Sequence, residues 1–170
     1  APAMRAGAFL LDLNSASPTT KAACGTLVNA AGGRYVESAV MTSVPPYGIR
    51  VPMLVGGPDA AALAPTLAAL GFSASVASAE LGVASAIKMC RSVMIKGMEA
   101  IVIESYLAAR RYGIEGEVLA SLAETFPGID WERQGSWFWT RVVQHGKRRA
   151  EEMRESAATM REAGFEGIMA

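Results

Sequence analysis

Leu81-Gly82-Val83-Ala84-Ser85-Ala86-Ile87-Lys88-Met89-Cys90-Arg91-Ser92 opens a proline-free run that extends to residue 112. Its few glycines are dispersed, so the run reads as one long helix. Apolar residues fall on nearly every face of it: Ile87, Met89, Val93, Met94, Ile95, Met98, Ile101, Val102 and Ile103. A helix that is apolar all round is buried on several sides. It is expected to run between two domains or two subunits, with the boundary near Ser78: residues 1–78 form one unit and 79–170 a second.

Upstream of that boundary, short apolar runs alternate with helical segments. Residues 8–13 read as a buried strand that ends at polar turn residues. Ser17-Pro18-Thr19-Thr20 is a helix start, with Ser17 as N-cap and Pro18 in the first turn; Gly32-Gly33 stops that helix. Residues 35–41 and 51–55 are strand-like, the second closed by Gly56-Gly57. Asp59 caps a helix that ends near Gly71, and residues 72–76 form a short strand. This is α/β patterning with a mostly parallel sheet expected. Downstream, residues 117–126 read as a helix stopped by Pro127-Gly128, and 131–164 as one or two more. The expected fold class is α/β followed by all-α.

Composition limits the function. The chain has 170 residues, 51% hydrophobic and 19% charged, with 16 basic and 16 acidic residues and so no net charge. A neutral chain lacks the basic field of a phosphate-neutralising nucleic-acid binder. The apolar content excludes disorder. Charges, glycines and Pro58 interrupt the most apolar windows, so no membrane span is expected. The excess of apolar residues points to an interface. Cys24 and Cys90 lie too far apart for a metal spacing or a disulfide framework and fit a reduced, cytoplasmic setting. His145 is the sole histidine, which excludes a multi-histidine metal site. Residues 1–7 lack the pattern of a signal peptide.

Lys88 is the most informative side chain. It lies on the most apolar helix, where an ammonium must pair or lose proton affinity. A lysine so depressed serves as a general acid or base. Ser92, one turn on, shares its face, and Gly82, Ala84, Ser85 and Ala86 would let a ligand approach closely. The plainer alternative is a lysine that snorkels from a helix edge. A second candidate is the segment from Trp137 to Arg149. On helical spacing Arg141, His145 and Arg148 share a face that would receive an anionic group. The alternative there is an interface helix whose charges pair as Lys147–Glu151 and Arg148–Glu152. Gly56-Gly57-Pro58-Asp59 reads as a turn, since Pro58 offers no amide to a phosphate.

Gly82-x-Ala84-x-x-x-Lys88-x-x-x-Ser92 resembles the Gly-x-Gly-x-x-x-Lys-x-x-x-Asn motif of the β-hydroxyacid dehydrogenases, the family of 3-hydroxyisobutyrate and 6-phosphogluconate dehydrogenases. Asp12-Leu13-Asn14-Ser15-Ala16-Ser17-Pro18 is similar to the strand-end segment that family places beside the nicotinamide ribose. Glu37-Ser38-Ala39-Val40-Met41-Thr42-Ser43 stands where the family has a substrate loop, Asp-Ala-Pro-Val-Ser-Gly-Gly. The tail from Trp137 resembles a branch with a divergent C-terminal helical domain. The departures are Ala84 for glycine, Ser92 for asparagine, Met41-Thr42-Ser43 for Ser-Gly-Gly, and no N-terminal Gly-x-Gly-x-x-Gly turn, as in a fragment of such an enzyme.

The resemblance implies the latter part of a Rossmann-like dinucleotide-binding domain, a long interdomain helix and a helical substrate and dimerisation domain. It implies hydride transfer between NAD or NADP and a 2- or 3-hydroxy acid, with Lys88 as acid/base. Thr42, Ser43, Ser92, His145 and Arg148 are then expected at the substrate, Asn14 and Ser15 at the cofactor, and a homodimer through the helical domain. No metal, nucleic acid or membrane enters this scheme. The alternatives are a non-catalytic dimerisation fragment and an imine reductase. The imine reductases typically lack the lysine.

Overall fold

A computed structural model describes residues 4–170. Four strands form one sheet in the order β1-β2-β3-β4: β1 (Phe9–Asp12), β2 (Arg34–Val40), β3 (Met53–Gly56) and β4 (Ala74–Ser78). Helix α1 (Pro18–Ala30) links β1 to β2, and α3 (Ala60–Ala69) links β3 to β4; both pairs are parallel, as a helical crossover demands. The central β2–β3 pair is antiparallel. The sheet is thus mostly parallel, as expected, with one antiparallel pair at its centre that the patterning did not indicate. The β2–β3 connection holds only one helical turn, α2 (Val44–Tyr47), and a 3-10 turn (Gly48–Arg50), so no crossover helix returns the chain. Two strands also lie about two residues later than expected: β3 begins at Met53 rather than Val51, and β4 at Ala74 rather than Phe72.

The helical half follows as α4 (Val83–Tyr112), α5 (Glu115–Thr125) and α6 (Trp131–Glu162). The long run from Gly82 is indeed a single helix, about 45 Å of it, and the C-terminal segment is likewise one helix. Ser17 caps α1 as read, its side chain accepting from Thr20 N. Asp59 stands at the N-cap of α3, yet its carboxylate goes to Arg34 at 2.5 Å instead of to the helix amides.

Two hydrophobic cores result. Val36, Val51, Met53, Val55, Ala60, Leu63 and Leu67 fill the space between sheet and α3. Val102, Tyr106, Trp131 and Phe138 form the second, among α4, α5 and α6. Tyr106 donates to Trp131 O at 2.9 Å and Trp131 Nε1 to Leu122 O at 3.1 Å, so the aromatic polar atoms in that core are satisfied. Helix α6 runs back along α4 and reaches the sheet half, where Glu155 accepts from Ser17 N (2.9 Å) and Glu162 from Thr19 N (3.1 Å). Helix α4 is not covered on every side. Ile87, Met94, Met98 and Ile101 are exposed.

The hinge between the halves is Glu37, on β2 and fully buried. Its Oε1 accepts from Gly82 N (2.7 Å) and Ala84 N (3.1 Å), and its Oε2 from Ser85 Oγ (2.6 Å). A carboxylate here satisfies orphan amides of the first α4 turn and meets the positive end of the helix. Gly56 is needed beside it, because a Cβ there would stand 2.6 Å from Glu37 Oε1. Gly82 has φ +96°, a left-handed conformation suited to glycine, and sits against Pro18 at the start of α1. Gly56 still belongs to β3, and the turn into α3 begins at Gly57, which has φ +112° and lies against Leu81.

Glu37→Leu leaves two amides and a hydroxyl buried without an acceptor. It is expected to lower the unfolding free energy by about 3 kcal/mol or more, read from urea denaturation. Gly56→Ala is expected to destabilise through the same carboxylate.

Candidate active site

The site is assembled where the end of β1 meets the first turns of α4. Lys88 Nζ donates to Ser15 Oγ at 2.5 Å. Burial lowers the Lys88 ammonium from its ordinary value to about 8; the charges of Lys96, Lys21 and Arg148 add to this, while Glu152 opposes it. Between about pH 8 and the ordinary lysine value the unfolded chain holds a proton that the folded chain has released, so this group's contribution to stability rises with pH across that window.

The segment carrying Ser15 is held by Asp12. Asn14 N and Nδ2 donate to Asp12 Oδ1 at 2.9 and 2.8 Å, and Tyr35 OH donates to Oδ2 at 2.6 Å. The fully buried Lys21 ammonium lies 2.9 Å from Oδ2 and also donates to Asp12 O at 3.0 Å. Burial resists ionisation of Asp12, but hydrogen bonds from Tyr35, Lys21 and Asn14 outweigh it and bring the carboxyl down to about 2. Burial and the bond to Asp12 raise the Tyr35 phenol well above its ordinary value. The strand end is thus fixed by a carboxylate with four donors. The roles of Lys21 and Tyr35 carry no local sequence signal, because they lie 9 and 23 residues from Asp12.

On α4, Ser92 is buried one turn beyond Lys88, and Lys96 Nζ donates to its Oγ at 3.2 Å. Glu152 of α6 lies 3.1 Å from Lys96 and 2.6 Å from Arg148. Burial opposes ionisation of Glu152, but Lys96, then Arg148 and Lys88, hold its pKa below the ordinary value. The structure therefore brings Lys88, Ser15 and Ser92 to one place, with Arg148 behind Glu152. Of the two i,i+4 pairs expected on α6, Arg148–Glu152 forms, while Lys147 and Glu151 both lie exposed.

The other sequence candidates are arranged differently. Asn14 is exposed, its donors turned inward to Asp12. Thr42 and Ser43 lie exposed on the loop after β2, which is tied to α4 by Arg91 donating to Met41 O at 3.2 Å. His145 is exposed on α6. Its expected stripe is divided: Arg141 is drawn to Glu99 (3.4 Å), Arg148 to Glu152. Glu99, itself buried, pairs with the buried Arg149 as well. No group of three or more metal-ligating side chains occurs among the described residues, and no described helix is long and apolar enough to cross a membrane.

Against known proteins, residues 109–170 match a domain of unknown function, DUF1932. No curated protein matches the sequence. Among solved structures, a conserved hypothetical protein from Sinorhizobium meliloti 1021 is 43% identical, with a TM-score of 0.85 over 95% of this chain and 54% of that one. The conserved protein MTH1747, of unknown function and described as structurally similar to 3-hydroxyacid dehydrogenases, is 32% identical, with a TM-score of 0.79 over 95% of this chain and 60% of that one. A 3-hydroxyisobutyrate dehydrogenase from Salmonella typhimurium shares the fold at 17% identity, with a TM-score of 0.67 over 96% and 60% of the two chains. The chain thus shares the fold of 3-hydroxyisobutyrate dehydrogenase, and its residues 109–170 are similar to the DUF1932 family. It spans a little over half the length of these structures. Imine reductases and a reductive aminase of the same fold are solved with NAD+, NADP+ or NADPH bound.

In an α/β half of this kind a ligand lies beyond the carboxyl ends of the strands. There Asn14 Oδ1 remains an acceptor, since both its backbone and side-chain amide donate to Asp12. An outward acceptor of that kind fits a ribose hydroxyl. The start of α1 does not fit a phosphate, because Glu155 and Glu162 already occupy its amides.

Asp12→Asn tests the strand-end lock. Ionised Asp12 contributes stability that is present above its ordinary value near 3.8 and is lost as pH falls toward about 2. The variant is expected to be less stable at pH 7 and to lose the pH dependence of unfolding across that window, measured by denaturation at a series of pH values.

Proposed function

We propose that this chain provides the acid/base residue and part of the substrate site of an NAD(P)-dependent hydroxyacid dehydrogenase. The observation that supports it best is the Lys88 amine. It is half-buried, drawn down to about 8, and hydrogen-bonded to Ser15 at the end of β1 in a nucleotide-binding-like half. A lysine on a solvated helix edge would have neither property. The fold shared with dehydrogenases that act on hydroxy acids is in keeping with this reading.

The chemistry follows from the residues. A nicotinamide ring, when bound, supplies or accepts the hydride. In the oxidative direction Lys88, neutral, removes the proton from the substrate hydroxyl as its carbon is oxidised; in the reductive direction the Lys88 ammonium returns it. Ser15 accepts a hydrogen bond from the amine and keeps it aimed at the strand end. Ser92, Thr42 and Ser43 orient the substrate's oxygens. Asn14 accepts from the cofactor's ribose. His145 and Arg148 stand further out on α6, where they attract an anionic substrate. The imine reductase alternative is less well matched, since Lys88 is suited to moving a proton on oxygen.

The native polypeptide, assayed on a panel of 2- and 3-hydroxy acids with NAD+ and NADP+, is expected to oxidise at least one. Lys88→Ala should reduce that turnover by about 100-fold or more; near-normal turnover by the variant rejects the assignment. Oxidation should rise with pH through a midpoint near 8, the value of the Lys88 amine, and reduction should fall.

The homodimer belongs to the same proposal. Ile87, Met94 and Ile101 recur every seven residues along α4 and are all exposed, the spacing of a seam with a second helix. Sedimentation equilibrium is expected to give a dimer, and Met94→Asp a monomer.

A further inference from the structure

Ser92 differs from five of the hydroxyls on the helices. Thr26, Thr125, Thr140, Ser156 and Thr159 each donate to the carbonyl four residues back, at 2.9 to 3.1 Å. That is the usual arrangement for a hydroxyl inside a helix. Ser92 makes no such bond among the described residues; its partner is Lys96 Nζ, at 3.2 Å. An ammonium only donates. Ser92 Oγ is therefore the acceptor, and its own proton remains available. Lys96 is itself held by Glu152 at 3.1 Å, and Glu152 by Arg148 at 2.6 Å. A chain of contacts thus leads from the C-terminal helix to the hydroxyl beside Lys88.

We propose that Lys96 and Glu152 are positioning residues for the Lys88 centre, fixing Ser92 as a hydrogen-bond donor to an oxygen of the substrate. This deepens the dehydrogenase reading and rests on it for the identity of the substrate. It also narrows the class. The atom opposite Ser92 must be an acceptor, a carboxylate or the reacting hydroxyl or carbonyl oxygen. An iminium or ammonium nitrogen, which has only donors, does not suit it.

The two side chains also act on Lys88 with opposite signs. Glu152 favours the charged amine; Lys96 disfavours it, as do Lys21 from α1 and Arg148 from α6. Lys21 is itself paired with Asp12, and Ser15 is the group hydrogen-bonded to the amine. Removing either Lys96 or Glu152 breaks the same ion pair. A merely structural role therefore predicts similar effects from both changes, whereas a charge-setting role predicts opposite ones.

The test is an NMR titration of the Lys88 and Lys96 amines in the whole protein, without ligand. Glu152→Gln is expected to lower the Lys88 midpoint, and Lys96→Met to raise it, each by about half a pH unit. Ser92→Ala is expected to lower the Lys96 midpoint, because the ammonium loses an acceptor. Lys96→Arg, which keeps both charge and donors, should leave Lys88 close to the parent value; if Lys96→Met does not fold, Lys96→Gln removes the same charge and carries the same expectation. Shifts of Lys88 in the same direction for Glu152→Gln and Lys96→Met, no shift in either, or an unmoved Lys96 in Ser92→Ala overturn the proposal. The titration reads the amines whether or not Lys88 is catalytic, so its failure is distinct from near-normal turnover in Lys88→Ala.

Discussion

The carboxylate of Glu37 is the contact on which the arrangement of the two halves turns. It comes from the middle of the sheet and closes on the first amides of α4. A long helix has only one end that can be fixed by a point contact of this kind, and every residue beyond it is carried at a set rise and rotation. Lys88 lies within the second turn of α4, so its reach to Ser15 is determined at the clamp. Gly56 and Gly82 follow from the same requirement. One makes space for the carboxylate, and the other lets the backbone enter the helix directly above Pro18.

Much of this was legible in the sequence, and the legible parts share a physical cause. The start of α1 was readable because Ser17 and Pro18 act within one turn of it. The long α4 was readable because nothing between Val83 and Tyr112 breaks a helix. Lys88 was readable because an ammonium among so many apolar neighbours demands an explanation. The antiparallel β2–β3 pair was not readable from alternating strands and helices, since only the absence of a true crossover helix decides it. Asp59 looked like a cap and is one by position, but Arg34, 25 residues away, takes its carboxylate.

The candidate site shows the same division more sharply. Helical spacing placed Ser92 beside Lys88 but gave no sign of what would bond to it. Lys96 and Glu152 carry that information, and they are 56 residues apart on different helices. Arg141, His145 and Arg148 did share a face in projection, but buried and half-buried carboxylates separate them. Glu99 draws Arg141, and Glu152 draws Arg148. Periodicity predicts which side chains look the same way, whereas charge pairing across a helix seam is a property of two sequences read together.

The carboxylates of Glu155 and Glu162 at the start of α1 bear on how the chain reaches this structure. They meet residues 138 and 143 positions earlier, so the start of α1 is finished by a helix far downstream of it. Until α6 is in place, those two amides are left to water, while the Ser17 side chain already holds Thr20 N. The sheet can gather its own core beforehand, since all of Val36, Val55 and Leu63 lie early. Its union with the helical half rests on contacts of long sequence separation, whose loop closure must be met before they contribute.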